Sequence, residues 1–536
     1  MNTTAHSVPL SVGQEAMKVA WQIDPRQWTN IIPVPLAVTG DLDLDRLRAA
    51  VDALGTAFPH LRGRVTGEPG HHRLDWDGAP AIPVTEVTSS LARDEGVREA
   101  WQTPFDLLAG PLARVQVVTG PGWRVLLLTL HHIVADGASV LLLLDALRQA
   151  YAGEPVTVPD DPRALEAHAL RSARLAEGAE GERLRAYWAA ELGTGTAPLT
   201  LPAEPADPPR PTLLSDLLPD DLVAGLRHRA AATRVSYVTA LMAGYYALLR
   251  RHTGSSDVLS FLPFHGRTLD ATRQQVGYFV NLLPVRARLG AADTYTDVMR
   301  QLRGRVKNAL THGDLPQPVI MRSAGLVGPR ARDLTHRSLF QYWHAGLRDG
   351  LDVMDLRLTT PGSTATLGLL DIESTAGFTL AVMVRQDSGG TRVLWKDPAG
   401  ALGEPLLKTL AAEYHEVLWT IADDPDTPLL GIVATAGAAG TTTAPGAAAP
   451  DDADGPAGSG GDARLLAAMT ELWQDVLGID DILPEDSFFE LGGHSLLAES
   501  LVLEVSRRFG REVDLGVLFS RPRLAEFTEH AVGPRA

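Results

Sequence analysis

The chain has 536 residues, more than one ordinary domain holds, and its 45% hydrophobic and 21% charged residues are the balance of a folded, core-forming protein. Lys and Arg number 48 against 65 Asp and Glu, and the resulting net charge of −17 disfavours broad binding to nucleic acid or to anionic membrane surfaces. With 0 cysteines the chain has no disulfide framework, thiolate zinc site, iron–sulfur cluster or cysteine nucleophile, so any thiol chemistry must be imported.

The opening, MNTTAHSVPLSVGQ, has no basic stretch followed by an apolar core, and runs such as VLLLL at 140–144 fall far short of the roughly 20 residues of a membrane span. A cytoplasmic protein is expected. Strand-like and helix-like stretches alternate up to residue 432: IIPVPLAVTG and WRVLLLTL read as buried strands, LDRLRAAVDALGTAF and ASVLLLLDALRQAYAG as amphipathic helices. The class is α/β. Acidic, Pro-rich loops near 153–163 and 200–212 suggest two lobes, about 1–175 and 176–432.

At Val433 the composition shifts. Residues 433–462, VATAGAAGTTTAPGAAAPDDADGPAGSGGD, contain almost no large apolar side chain and read as a flexible linker. Such a linker has an r.m.s. span of about 30 Å and could stretch to about 100 Å, a reach suited to a travelling domain. In the tail, 463–536, Leu465, Leu466, Met469, Leu472, Trp473, Val476 and Leu477 fall at helical spacings before Gly478, and HSLLAESLVLEVSRRFG repeats the pattern. A small helical bundle is expected there.

The most informative heptad is His131-His132-Ile133-Val134-Ala135-Asp136-Gly137, between the apolar strand and the helix that begins near Ala138. Two histidines stand where a buried strand breaks into a loop, with Asp136 placed to cap the helix and Gly137 leaving room for a close approach. An imidazole there can be partly desolvated yet face a channel, suited to accept or relay a proton during acyl transfer. A lone strand-end histidine is ordinarily satisfied by backbone groups, but the full pattern is rare by composition. Joint metal ligation is awkward, because adjacent side chains on a strand point to opposite faces, and no metal site is expected.

This heptad resembles the H-H-x-x-x-D-G signature of nonribosomal peptide synthetase condensation domains. Gly277-Tyr278-Phe279-Val280-Asn281 resembles that family's G-x-F-V-N segment, His312-Gly313-Asp314-Leu315-Pro316 its H-Q-D-x-P segment, Arg332-Asp333-Leu334-Thr335 the start of its R-D-x-S segment and Tyr187-Trp188 its Y-W helix. The resemblance covers about residues 8–432 and implies two chloramphenicol-acetyltransferase-like lobes in a V, with a tunnel reached from opposite faces. It implies that His132 is the catalytic position, supported by His131, Asp136 and Gly137, with Asn281 a structural support. Asp136 is expected to fix the loop, with Arg267 as its candidate ion-pair partner. Ser11-Val12-Gly13-Gln14 matches the family's opening, whereas Ala16, Lys18, Phe58, Thr379 and the stretch 163–175 depart from its pattern.

In the tail, Gly492-Gly493-His494-Ser495-Leu496-Leu497 puts a serine between a Gly-Gly turn and an amphipathic helix. Alone, such a serine is ordinarily an N-cap. The run Asp486-Ser487-Phe488-Phe489-Glu490-Leu491 before it makes the whole tail resemble a peptidyl carrier domain, which implies 4′-phosphopantetheine attached to Ser495. Helix-start amides favour a phosphodiester at that hydroxyl, and the arm would bring the missing thiol.

Together the two resemblances imply amide formation by aminolysis of a carrier-bound acyl or peptidyl thioester. Alternatives are an inactive scaffold that recruits carriers or tailoring enzymes, and an acyltransferase using free coenzyme A thioesters, against which the attached carrier argues. No segment offers an adenylation domain or a G-x-S-x-G release elbow, so the expected partners are acyl-carrier proteins, a stand-alone adenylation enzyme or ligase, and a phosphopantetheinyl transferase.

Overall fold

The structure is a computed structural model. It describes residues 6–429, except 26–29, 159–160, 162, 194–199, 203–211, 327–337, 345–350, 354–355, 360–377 and 388–389, together with 462–477 and portions of 482–532. Ser495, the expected linker up to residue 461, and the Arg332–Thr335 segment lie outside the described residues.

Contacts group the chain into two compact units, one made of Met1–Asp220, Leu259–Arg286 and Asn308–Glu413, the other of Asp221–Val258, Ala287–Lys307 and Tyr414–Ala536. The first unit carries the candidate site. Its first six-stranded sheet runs in the order Leu351–Val353, Leu356–Thr359, Ile31–Thr39, Trp123–His131, Ala113–Gly120 and Val84–Thr88. Trp123–His131 lies antiparallel to both neighbours, with Ile31 opposite His131 on one side and Ala113 opposite Leu130 on the other. A strand buried on both faces needs an unbroken apolar run, and Val125, Leu126, Leu127, Leu128 and Leu130 are all buried. The neighbouring strand Ile31–Thr39 gains its other partner only from Ala37 onward, so Pro33 and Pro35 sit where no described strand asks for their missing N–H groups.

Helix Gly137–Ala152 leaves the end of the histidine strand and packs against helix Leu44–Ala57. Asp136 caps its start, accepting from Ser139 N, and Gly153 ends it in the left-handed region at φ 77°. A second six-stranded sheet has the order Asn281–Arg288, Asp257–Phe264, Ser338–His344, Leu380–Asp387, Gly390–Asp397 and Thr212–Leu217, again mixed parallel and antiparallel.

In the second unit, helix Tyr237–Thr253 is buried along nearly its whole length, and Tyr414 donates from its hydroxyl to Leu241 O at 2.8 Å. The tail contributes helices Asp462–Leu477 and Leu524–Val532. Trp473 fills the space between them, edge-on to Phe488 at 5.1 Å and tilted on Phe527 at 6.1 Å, so the apolar stripe of the first helix faces inward as its spacing predicts. Among the described residues no helix is long and apolar enough to cross a membrane.

Candidate functional site

His131 is the last residue of its strand, and its backbone N–H donates to Leu112 O at 2.9 Å. The ring is buried against Phe105, and its Nδ1 accepts from Ile133 N at 3.0 Å. An accepting Nδ1 carries a lone pair, so the ring is the neutral Nε2–H tautomer. Burial, helped by the neighbouring His132, pulls its pKa down to about 3 and keeps it uncharged.

His132 begins the loop, its N–H bound to Asn30 O at 2.6 Å. Its Nδ1 lies 2.8 Å from Ala135 O. A carbonyl oxygen only accepts, so Nδ1 must hold the proton, and the neutral ring presents a free lone pair at Nε2. The residue is packed on most sides but not sealed. Desolvation lowers its pKa against the opposing pull of Asp136 and the loop's backbone, leaving the imidazole uncharged at neutral pH with its Nε2 lone pair free. That is the state a proton acceptor requires.

Asp136 spends both carboxylate oxygens on other partners. Its Oδ1 accepts from Ser139 N at 2.8 Å and from Arg267 Nη2 at 2.7 Å, and its Oδ2 from Phe279 N at 3.2 Å. Both partners of the ion pair are buried, with side-chain exposures of 1% for Arg267 and 3% for Asp136. Burial would raise the carboxyl pKa, but Arg267 and the Ser139 hydrogen bonds outweigh it and hold the group ionised. Arg267 also donates from Nη1 to Thr272 O and Gln275 O, each at 2.6 Å, and stacks over Phe279 at 4.5 Å. Gly137 opens the helix beside this cluster.

Asn281 joins two further segments that the sequence singles out. Its Nδ2 donates to Gly313 O at 2.8 Å and to Leu315 O at 2.7 Å, while its Oδ1 accepts from Gln317 N at 2.8 Å. Nearby, Tyr187 stacks on His312 at 3.7 Å and Trp188 donates to His312 O at 2.9 Å. Asp314 pairs with Arg171 and accepts from the Thr268 hydroxyl at 2.9 Å.

Three further participants are given no role by the sequence, although Gln14 and Tyr278 lie in segments it singles out. Ser139 Oγ accepts from Gly277 N at 3.0 Å and lies 2.8 Å from both Gly277 O and Asp136 Oδ1, tying the helix start to the Gly277–Asn281 segment. Gln14 donates to Ile133 O at 2.7 Å, gripping the His132–Asp136 loop from the first helix. Tyr278 stands edge-on to His132, with ring centroids 5.5 Å apart. Ser139, outside the matched segments, has a local signal of its own, three residues after a capping Asp. Among the described residues no group of three or more His, Cys, Asp or Glu could hold a metal ion.

A family model described as "Condensation domain" matches residues 4–431, and one described as "Phosphopantetheine attachment site" matches 467–531. Surfactin synthase subunit 1 of Bacillus subtilis (strain 168) is 25% identical over 433 residues, which cover 78% of this chain and 12% of that protein. The dimodular nonribosomal peptide synthase of the same organism is 29% identical over 417 residues, 71% of this chain and 16% of that protein. Tyrocidine synthase 3 of Brevibacillus parabrevis is 26% identical over 440 residues, 79% of this chain and only 6% of that protein. The chain thus spans a small part of these relatives. Among solved structures, the X-domain from teicoplanin biosynthesis superposes with a TM-score of 0.69 at 21% identity, covering 80% of this chain and 98% of the other. The first condensation domain of the calcium-dependent antibiotic synthetase gives 0.62 at 23%, covering 80% and 98%. At these identities the likeness concerns the fold.

Proposed function

Since the chain belongs to the condensation-domain family and carries a phosphopantetheine attachment domain after it, we propose that it joins an amine to a carrier-bound acyl or peptidyl thioester, making an amide bond in nonribosomal peptide assembly. The observation that carries this reading is the tautomer of His132: Nδ1–H is tied to Ala135 O, which leaves Nε2 as a neutral acceptor on a residue that is not sealed off.

In the reaction the amine nitrogen attacks the thioester carbonyl carbon, the C–N bond forms and the C–S bond breaks. His132 Nε2 accepts a hydrogen bond from the attacking amine and takes its proton as the tetrahedral intermediate forms; that proton returns to the departing sulfur. General base catalysis supplies about 10²- to 10⁴-fold, whereas aligning two tethered reactants removes roughly 7–11 kcal/mol, so positioning outweighs proton transfer. His131, Asp136 and Arg267 support the loop without reaching the substrate. The Ser495 hydroxyl is the attachment point for 4′-phosphopantetheine, which supplies the thiol that a cysteine-free chain lacks. The partners of this reading are acyl-carrier proteins, an adenylation enzyme or ligase that loads them, and a phosphopantetheinyl transferase.

The test is to prime the full chain, load candidate acyl and aminoacyl groups on Ser495 and on a separate carrier, and follow intact mass. Growth on the tethered carrier marks it as acceptor, and loss marks it as donor. Ser495→Ala should take up no arm. His132→Ala should slow amide formation without blocking loading, and an unchanged rate would count against the mechanism. A recruitment scaffold would bind loaded carriers yet form no amide.

A further inference from the structure

Gly13 lies in the first turn of helix Val12–Ile23, where alanine would be the better residue by roughly 0.5–1 kcal/mol. The helix start is otherwise well made: Ser11 Oγ accepts from Gln14 N, and Gln14 Oε1 accepts from Ser11 N at 2.8 Å, a reciprocal capping box. A glycine inside such a turn calls for a packing reason. The reason is Tyr278, since a Cβ on Gly13 would lie 2.8 Å from its Cε1.

The same phenol ring meets His132 at an interplanar angle of 83°, with centroids 5.5 Å apart, a favourable edge-to-face contact. Residues on both sides of Tyr278 are tied to the cap of the catalytic loop, Gly277 through Ser139 Oγ and Phe279 through Asp136 Oδ2. Gln14, next to Gly13, holds Ile133 O, the carbonyl immediately after His132. One helix turn therefore grips the loop through Gln14 and gives the phenol ring its seat through Gly13.

We infer that Tyr278, seated on Gly13, is a positioning residue that fixes the plane of the His132 imidazole and keeps water from that face of the ring. The single hydrogen bond from Nδ1 to Ala135 O sets where the imidazole sits but leaves it free to tilt about that bond; the phenol ring removes this freedom. Burial holds the Tyr278 hydroxyl far on the protonated side, its pKa raised well beyond the working range, so the wall beside the base is neutral at every working pH. A neutral, water-excluding wall preserves the lowered pKa of His132.

The inference rests on the reading of His132 as proton acceptor, and the test separates the two. Single-turnover amide formation by the primed full chain is followed against pH, with the ring signals of His132 titrated by NMR in parallel. Tyr278→Leu should lose at least about tenfold in rate at saturating substrate, since a displaced catalytic group costs up to 10²-fold, with little change in KM. Its acidic limb should move to higher pH, because water entering the vacated space lets the imidazole pKa climb back toward about 6.5. Tyr278→Phe, which keeps the ring, should restore the limb and most of the rate. Gly13→Ala, which displaces the ring without altering it, should move both in the direction of Tyr278→Leu. An unshifted limb in Tyr278→Leu and Gly13→Ala, with His132→Ala still impaired, overturns the positioning role. So does a Tyr278→Phe variant as impaired as Tyr278→Leu, while a fully active His132→Ala overturns the reading beneath it.

Discussion

Replacing Arg267 by Met tests the frame that holds the His132–Asp136 loop. The guanidinium is buried and bonds Asp136 Oδ1 at 2.7 Å and the carbonyls of Thr272 and Gln275 at 2.6 Å. Met fills much of the volume but leaves a carboxylate at 3% exposure with only Ser139 and Phe279 as donors. Removing one partner of a buried pair costs about 3–5 kcal/mol, because the remaining charge stays desolvated. The pH dependence gives a second, independent sign. In the wild type the Asp136 pKa is lowered, so its contribution is present above the unfolded carboxylate value of about 3.9 and disappears as pH falls through the folded value. Without Arg267 desolvation prevails and the folded pKa rises above about 3.9, so the variant loses stability as pH increases from the unfolded value up to that raised one. The deficit relative to wild type should therefore be larger at pH 7.5 than at pH 4.5. Urea midpoints of both proteins at the two pH values measure it, and Asp136→Asn combined with Arg267→Met should recover a good part of the loss. A deficit under about 1 kcal/mol, or one independent of pH, would refute the claim that this pair carries the loop.

The lowered pKa of His132 predicts that amide formation, which needs the neutral ring, stays level from neutral pH to below about 6.5 before falling. A single-turnover profile whose acidic limb lies above that value contradicts the desolvated site. Asn281→Ala removes three hydrogen bonds that join the Gly313–Gln317 segment to the second sheet. With its carbonyls left unpaired, a loss of roughly 1–3 kcal/mol is expected in thermal unfolding. Asn281→Asp should be worse, as it sets a carboxylate against the carbonyls of Gly313 and Leu315.

What the sequence discloses and what it hides follow from the range of the interactions. The WRVLLLTL run reads as a buried strand because both faces of Trp123–His131 are covered, and Asp136 reads as a cap because capping is decided within three residues. Its partner Arg267 stands 131 positions away, and only the rule that a buried carboxylate needs a cation makes it a candidate at all. Other features leave no local mark. Strand Leu356–Thr359 pairs with Ile31–Thr39, although segments on either side of it in the chain, Ser338–His344 and Leu380–Asp387, belong to the second sheet. Propensity can show that such a stretch is a strand, but not which sheet it joins. Gly13 is the instructive case. Read locally it is only a weak point in a well-capped helix, and its meaning emerges when Tyr278, far along the chain, is seen to occupy the space a methyl group would need. The phenol ring that fills this space is the one that meets His132. A residue that looks like a local defect is therefore the place where a remote side chain enters, and substitution at Gly13 should be felt first in the chemistry at His132 rather than in the stability of its own helix.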